Sequence, residues 1–166
     1  MMLLRHLLSI LLLPTMAAGV LPWWLLTAGR GADTRWPAVP IAWVPRTAGA
    51  LVFAAGFGLF AWCVWLFARV GRGTLAPWDP TQALVAVGPY RYTRNPMITG
   101  VALMLTGEAL VSGSALVGAW VVLFFVVNHL YFIVSEEPGL EDRFGEPYRA
   151  YCARVPRWLG RRHSGV

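Results

Sequence analysis

The sequence predicts an all-α, polytopic membrane helix bundle of about four or five spans with a C-terminal amphipathic helix. Three observations predict it. The chain is 57% hydrophobic and only 13% charged, against roughly 25% charged residues in soluble domains. Its apolar runs are long enough to cross a hydrocarbon core of about 30 Å. Its 14 positively charged side chains are all arginine and gather at the ends of those runs. At 166 residues the chain fits one domain, 1–166. The net charge of +6 is read as orientation of membrane spans rather than nucleic-acid binding.

Leu7 to Ala28 forms the first run. Arg5, the leucines after it and Met16-Ala17-Ala18-Gly19 mimic a cleavable signal. The apolar character persists through Trp23-Trp24-Leu25-Leu26, which favours an uncleaved span. Ala48 to Ala68 is the second span, with Gly49, Gly56 and Gly58 available for close helix approach. Met97 to Val134 is too long for one crossing, about twice the core thickness at ~1.5 Å per residue. Ser112-Gly113-Ser114 breaks it into a hairpin of a short third helix and a full fourth. After Pro138-Gly139, residues Leu140, Phe144, Tyr148, Tyr151 and Val155 recur at spacings of four, four, three and four. That period is an amphipathic helix lying at the interface or folded over the bundle. The loop from Gly71 to Val87, with Pro77, Trp78, Asp79 and Pro80, has the composition of a rim or lid, or simply of a turn.

Four spans place 11 arginines on one side and Arg30, Arg35 and Arg46 on the other. The arginine-rich side is expected to be cytoplasmic, together with both termini. Two polar segments then share one face. The first is Gly88-Pro89-Tyr90-Arg91-Tyr92-Thr93-Arg94-Asn95-Pro96. Asn95 and Pro96 read as a helix cap and first helical residue. Free amides there, with Arg91 and Arg94 three apart, suit an anion; a lipid-phosphate anchor is the plainer reading of the arginines. Tyr90 and Tyr92 suit an interfacial aromatic belt equally well.

The second segment carries the opposite charge. Glu136 and Glu137 close the fourth span near the negative end of its dipole and call for a cationic partner. His129 lies two turns before Glu136 on the same face, beside Asn128. Glu108 is a further polar group within a span. Mixed charges of this kind suit a zwitterionic ligand with an additional positive centre. Cys63 and Cys152 sit in no cluster with metal-ligand spacing, so no metal site is expected.

The first segment and Met97, followed by His129, Glu136-Glu137-Pro138, Arg143-Phe144-Gly145-Glu146-Pro147-Tyr148 and Arg154-Val155-Pro156-Arg157-Trp158, resemble the isoprenylcysteine carboxyl methyltransferase family. That family belongs to a wider group of integral membrane methyltransferases that includes phospholipid N-methyltransferases. The resemblance covers residues 77–158 and rests on two ordered motifs. It implies S-adenosylmethionine as cofactor, held by Tyr90, Arg91, Tyr92, Arg94, Asn95, Pro96, His129, Glu136, Glu137 and Tyr148. Glu137, Arg94 and Asn95 are its implied catalytic residues. The implied acceptor is lipophilic, drawn from membrane lipids and first of all an isoprenylcysteine-like carboxylate. Phospholipid amines and small thiols are the alternatives, and either would need a base such as Glu108, His129 or one of the glutamates. Family members often carry histidine where this chain has Asn95, which cannot titrate. A sterol-reductase-like enzyme and a non-catalytic membrane protein are the rival classes. The first lacks a nucleotide-phosphate glycine motif; the second leaves the paired polar segments unexplained.

Overall fold

The computed structural model describes residues 15–29, 33–37, 40–71 and 84–158. Among these, every regular element is helical. Helix α1 runs over Met16–Ala28. Helix α2, Trp43–Leu66, follows a 3₁₀ turn at Pro40–Ala42 and ends in a wide turn at Phe67–Gly71. Helices α3, Pro96–Ser112, and α4, Ala115–Tyr131, form the expected hairpin. A wide turn at Phe132–Glu136 carries α4 straight into α5, Glu137–Phe144; α6 covers Glu146–Arg154.

Two helical stretches, Trp43–Val70 and Ala115–Phe144, are long and apolar enough to cross a membrane; Met16–Ala28 and Pro96–Ser112 are shorter apolar helices. The two long stretches bury only 22% and 17% of their apolar windows. Trp43, Trp62, Trp65, Val122 and Val134 point outward. A water-soluble core helix would bury such side chains, so these faces suit lipid. The segment before Thr15 and the loop at 72–83, with its proposed rim or lid, lie outside the described residues.

Glycine sets the α2–α3 contact. A Cβ on Gly49 would stand 2.7 Å from the Gly107 carbonyl oxygen, and one on Gly56 would stand 2.6 Å from that of Gly100. Along each helix the two contacts are seven residues apart, two helical turns, so the backbones touch twice along one seam. Gly58 meets nothing within 4 Å and takes no part.

The hairpin turn is fixed from outside. Gly113 adopts φ +70°, a left-handed cap that only glycine holds without strain. The Ser114 hydroxyl accepts from the Val117 amide at 3.0 Å and donates to the Asp33 carboxylate. Asp33 also accepts from the Leu116 amide at 3.1 Å, and Thr34 donates to the Gly113 carbonyl at 3.0 Å. The loop after α1 thus caps α4 and holds the α3–α4 turn.

Two features of the tail differ from the sequence reading. Pro138-Gly139 does not end the fourth helix, because the wide turn at Phe132–Glu136 lies just before Pro138 and accommodates its ring and missing N–H within the continuing helix. The break comes at Gly145, with φ +55° and ψ −130°, a region open to glycine alone. The amphipathic face itself is as expected. Tyr148, Tyr151 and Val155 are buried against Leu140, Phe144 and Leu84.

Candidate active site at the helix ends

The polar turn before α3 and the residues after α6 clasp one another. The Arg94 amide donates to the Pro156 carbonyl at 2.9 Å. The Thr93 hydroxyl donates to the Arg157 carbonyl at 2.9 Å, and Asn95 Nδ2 donates to the same oxygen at 3.3 Å. The buried Tyr151 hydroxyl donates to the Tyr90 carbonyl at 2.7 Å. Burial pushes the Tyr151 hydroxyl well above its ordinary range, so it stays a neutral donor.

This clasp delivers two guanidinium groups to Glu137. Arg157 Nε lies 2.7 Å from Oε1 and Nη2 lies 2.8 Å from Oε2, a two-pronged pair. Arg94 Nη1 stands 3.0 Å from Oε1. All three side chains are mostly enclosed: 10% exposed for Arg94, 20% for Glu137 and 26% for Arg157. At that burial the charges are poorly screened and the arrangement is held firmly. The hydrogen bond from Arg157 to Glu137 in turn raises the Arg157 pKa.

A cavity of about 560 Å³ opens beside this hub, lined by Arg94, Glu137, Glu141, Tyr148, Arg149, Cys152 and Arg157 among others. Its wall carries three guanidiniums and two carboxylates, with Arg149 paired to Glu141 at 2.6 Å. Arg94 Nη1 also donates to Cys152 Sγ at 3.1 Å. Arg94 Nε is buried and has no hydrogen-bond partner among the described residues. Burial raises the Tyr148 pKa strongly, leaving a neutral hydroxyl at this wall.

Three of the expected site residues surround this cavity: Arg94, Glu137 and Tyr148. Tyr90 is buried among Cys63, Leu66 and Val85, and Pro96 is buried at the start of α3. Arg91 is exposed and Tyr92 is 71% exposed. The two arginines expected to share an anion therefore diverge: Arg94 turns to Glu137 while Arg91 faces outward. Asn95 makes no side-chain cap and spends its amide on the Arg157 carbonyl. His129 Nδ1 accepts from Trp158 Nε1 at 3.0 Å. Trp158 also packs on Phe125 and Phe132, with ring centroids 4.6 Å and 5.8 Å apart. The glutamates do not end a helix, since α4 continues through the wide turn into α5. Glu136 is half-buried within that turn. Glu108 lies 12 residues beyond Pro96, near the far end of α3, and is removed from this site.

Arg157, Glu141, Arg149 and Cys152 are polar cavity residues to which the sequence reading gave no site role. The unmet demand of Glu137 for a cation was the available signal for Arg157.

Residues 44–147 match the phospholipid methyltransferase family. The chain belongs to that family. It is a family of integral membrane methyltransferases related to isoprenylcysteine carboxyl methyltransferases, so the wider group suggested by the motifs is the one that holds. The chain is also 36% identical over 63 residues to an "Uncharacterized protein" of Haemophilus influenzae (strain Rd), covering 38% of this chain and 100% of that one. No solved structure matches it.

Proposed function

We propose that this membrane methyltransferase uses S-adenosylmethionine and transfers its methyl group to a lipophilic acceptor at the cytoplasmic membrane face. The observation that carries the reading is the mixed-charge cavity built on Glu137, Arg94 and Arg157. Its volume lies within the range of small-molecule sites, about 300–1,000 Å³. Its wall supplies cations for a carboxylate and anions for an ammonium or sulfonium. The unpartnered Arg94 Nε fits a ligand oxygen. When bound, the cofactor supplies a methyl group on a positively charged sulfur.

The residues' own part is binding and orientation. Arg94 and Arg157 fix the Glu137 carboxylate; together with Glu141 and Arg149 they present alternating charges. The neutral Tyr148 hydroxyl adds a donor. A carboxylate acceptor is already ionised at neutral pH, so alignment and exclusion of water suffice for it. That favours an isoprenylcysteine-like carboxylate as the first acceptor, with phospholipid amines and small thiols next. Helix ends beside outward apolar faces let an acceptor keep its tail in lipid while its head reaches the cavity. The arginine distribution supports a cytoplasmic site.

Calorimetry in detergent tests the cofactor. S-adenosylmethionine should bind, and Glu137→Ala or Arg94→Ala should weaken it at least about tenfold, the scale of ~1.4 kcal/mol. Unchanged affinity in both folded variants would return these residues to a structural role. Transfer of label from the cofactor methyl group into lipid tests the reaction. With binding confirmed, absence of labelled product for all three acceptor classes would refute an enzyme.

A further inference from the structure

A second cavity opens at the other end of α3. It encloses about 360 Å³ between Leu26 of α1, Phe53 of α2, and Glu108, Val111 and Ser112 of α3. Its surroundings are apolar apart from Glu108 and Ser112, and Ser112 already donates to the Glu108 backbone carbonyl at 2.7 Å. The Glu108 side chain is different. Its Oε2 is buried and has no hydrogen-bond partner among the described residues.

A carboxylate oxygen among apolar groups is costly unless it is paired. Arg94, Arg149 and Arg157, which neutralise the acids of the first cavity, cannot serve it. Of the arginines at this end, Arg35 is engaged by the Leu26 carbonyl at 2.8 Å and by Asp33 at 3.6 Å, and among the described residues Arg46 forms no ion pair with Glu108. Glu108 stands 12 residues along α3 from Pro96, roughly 18 Å away at the helical rise. It also lies only about one turn inside the end of α3 at Ser112. A group reaching it from the interface needs to enter by only a few ångströms. The cavity therefore combines a single carboxyl acceptor, shallow depth and an apolar lining that can receive a chain.

We propose that this cavity is a second binding site, for an amphiphile whose head group is a protonated amine and whose alkyl chain lies against Leu26, Phe53 and Val111. The ammonium supplies both the opposite charge and the N–H donors that Glu108 lacks. A neutral alcohol offers one hydrogen bond and no charge; a fatty acid offers the wrong charge. The site is independent of the methyl-transfer reading, because none of its lining residues touches the first cavity.

The test titrates dodecylamine into the full chain in phosphatidylcholine nanodiscs without S-adenosylmethionine, subtracting empty nanodiscs. Dodecanol serves as the uncharged control. Saturable binding of the amine is expected, about tenfold weaker in Glu108→Gln and about tenfold weaker for dodecanol in the native chain. Leu26→Trp, which fills the cavity, should also abolish saturation. Glu108→Gln removes an unpaired acid and should melt no lower than the native protein. Glu137→Ala, which opens the first cavity's hub, should leave amine affinity unchanged. Equal amine affinity in the native chain and Glu108→Gln, or amine and alcohol binding alike, would overturn the proposal. So would undiminished binding to Leu26→Trp, or dependence on Glu137.

Discussion

Replacing Gly107 by alanine puts a methyl group where two backbones meet. Its Cβ would lie 2.6 Å from the Gly49 carbonyl oxygen and 2.7 Å from the Phe53 amide nitrogen. Ordinary contacts begin near 3.4 Å. Neither neighbour is a flexible side chain, so the helices themselves must part by about 1 Å. A gap of that size forfeits a quarter to a half of the dispersion energy of the atoms along the seam. Overpacking of this kind costs about 1–3 kcal/mol, and contact with backbone belongs at the upper end. Alanine returns about 1 kcal/mol through better helix propensity. The expected net loss is about 2 kcal/mol.

Gly58→Ala isolates the propensity effect. Nothing lies within 4 Å of its added Cβ, so only the gain of up to ~1 kcal/mol remains. The two variants should therefore differ by about 3 kcal/mol in opposite directions from the native chain. Reversible unfolding in mixed micelles, followed by far-ultraviolet circular dichroism, measures the difference. Gly107→Ala as stable as Gly58→Ala would show that the α2–α3 seam is not a close backbone contact. The seam matters to the site because α3 begins at Pro96, directly after Arg94 and Asn95. A shifted α3 would move that guanidinium relative to Glu137.

Two further outcomes concern the tail. Gly145→Ala meets no steric neighbour but must hold φ +55°, so it should cost about 1–3 kcal/mol; Gly139→Ala, also open and within a helix, should not be destabilising. The same unfolding assay compares them, and equal effects would refute the backbone argument. Arg157→Lys keeps the charge but loses the two-pronged geometry. A double-mutant cycle with Glu137→Gln should give a coupling of about 1–3 kcal/mol, and a coupling near zero would mean that the hub is only a surface contact.

How much was legible in the sequence depends on the range of each interaction. The apolar helices depend on local transfer of side chains to lipid, so composition revealed them, and the Ser112-Gly113-Ser114 turn marked the hairpin. Gly49 and Gly56 were visible as small residues, whereas their partners Gly100 and Gly107 depend on how α3 is set against α2. Hydrophobic period showed the buried face of the tail but not its interruption. Period records which side is apolar; the break at Gly145 is a backbone angle that leaves the pattern of Tyr148, Tyr151 and Val155 intact.

The site was harder because it is made by choices between like residues. Either Arg91 or Arg94 satisfied the sequence argument for a cation near Glu137. The structure gives that place to Arg94 and adds Arg157, 20 residues after Glu137. The 3₁₀ turn at Gly88–Arg91 and the clasp of residues 93–95 on Pro156 and Arg157 decide between them. The same reasoning explains His129. A two-turn count from His129 to Glu136 assumes 3.6 residues per turn throughout. The wide turn at Phe132–Glu136 breaks that count, since each residue added to a turn rotates the downstream helix by about 100°. His129 consequently meets Trp158, while Glu137 receives the arginines. A motif can thus put the right residue types on one face of the membrane, and the irregular turns between them determine which side chains meet.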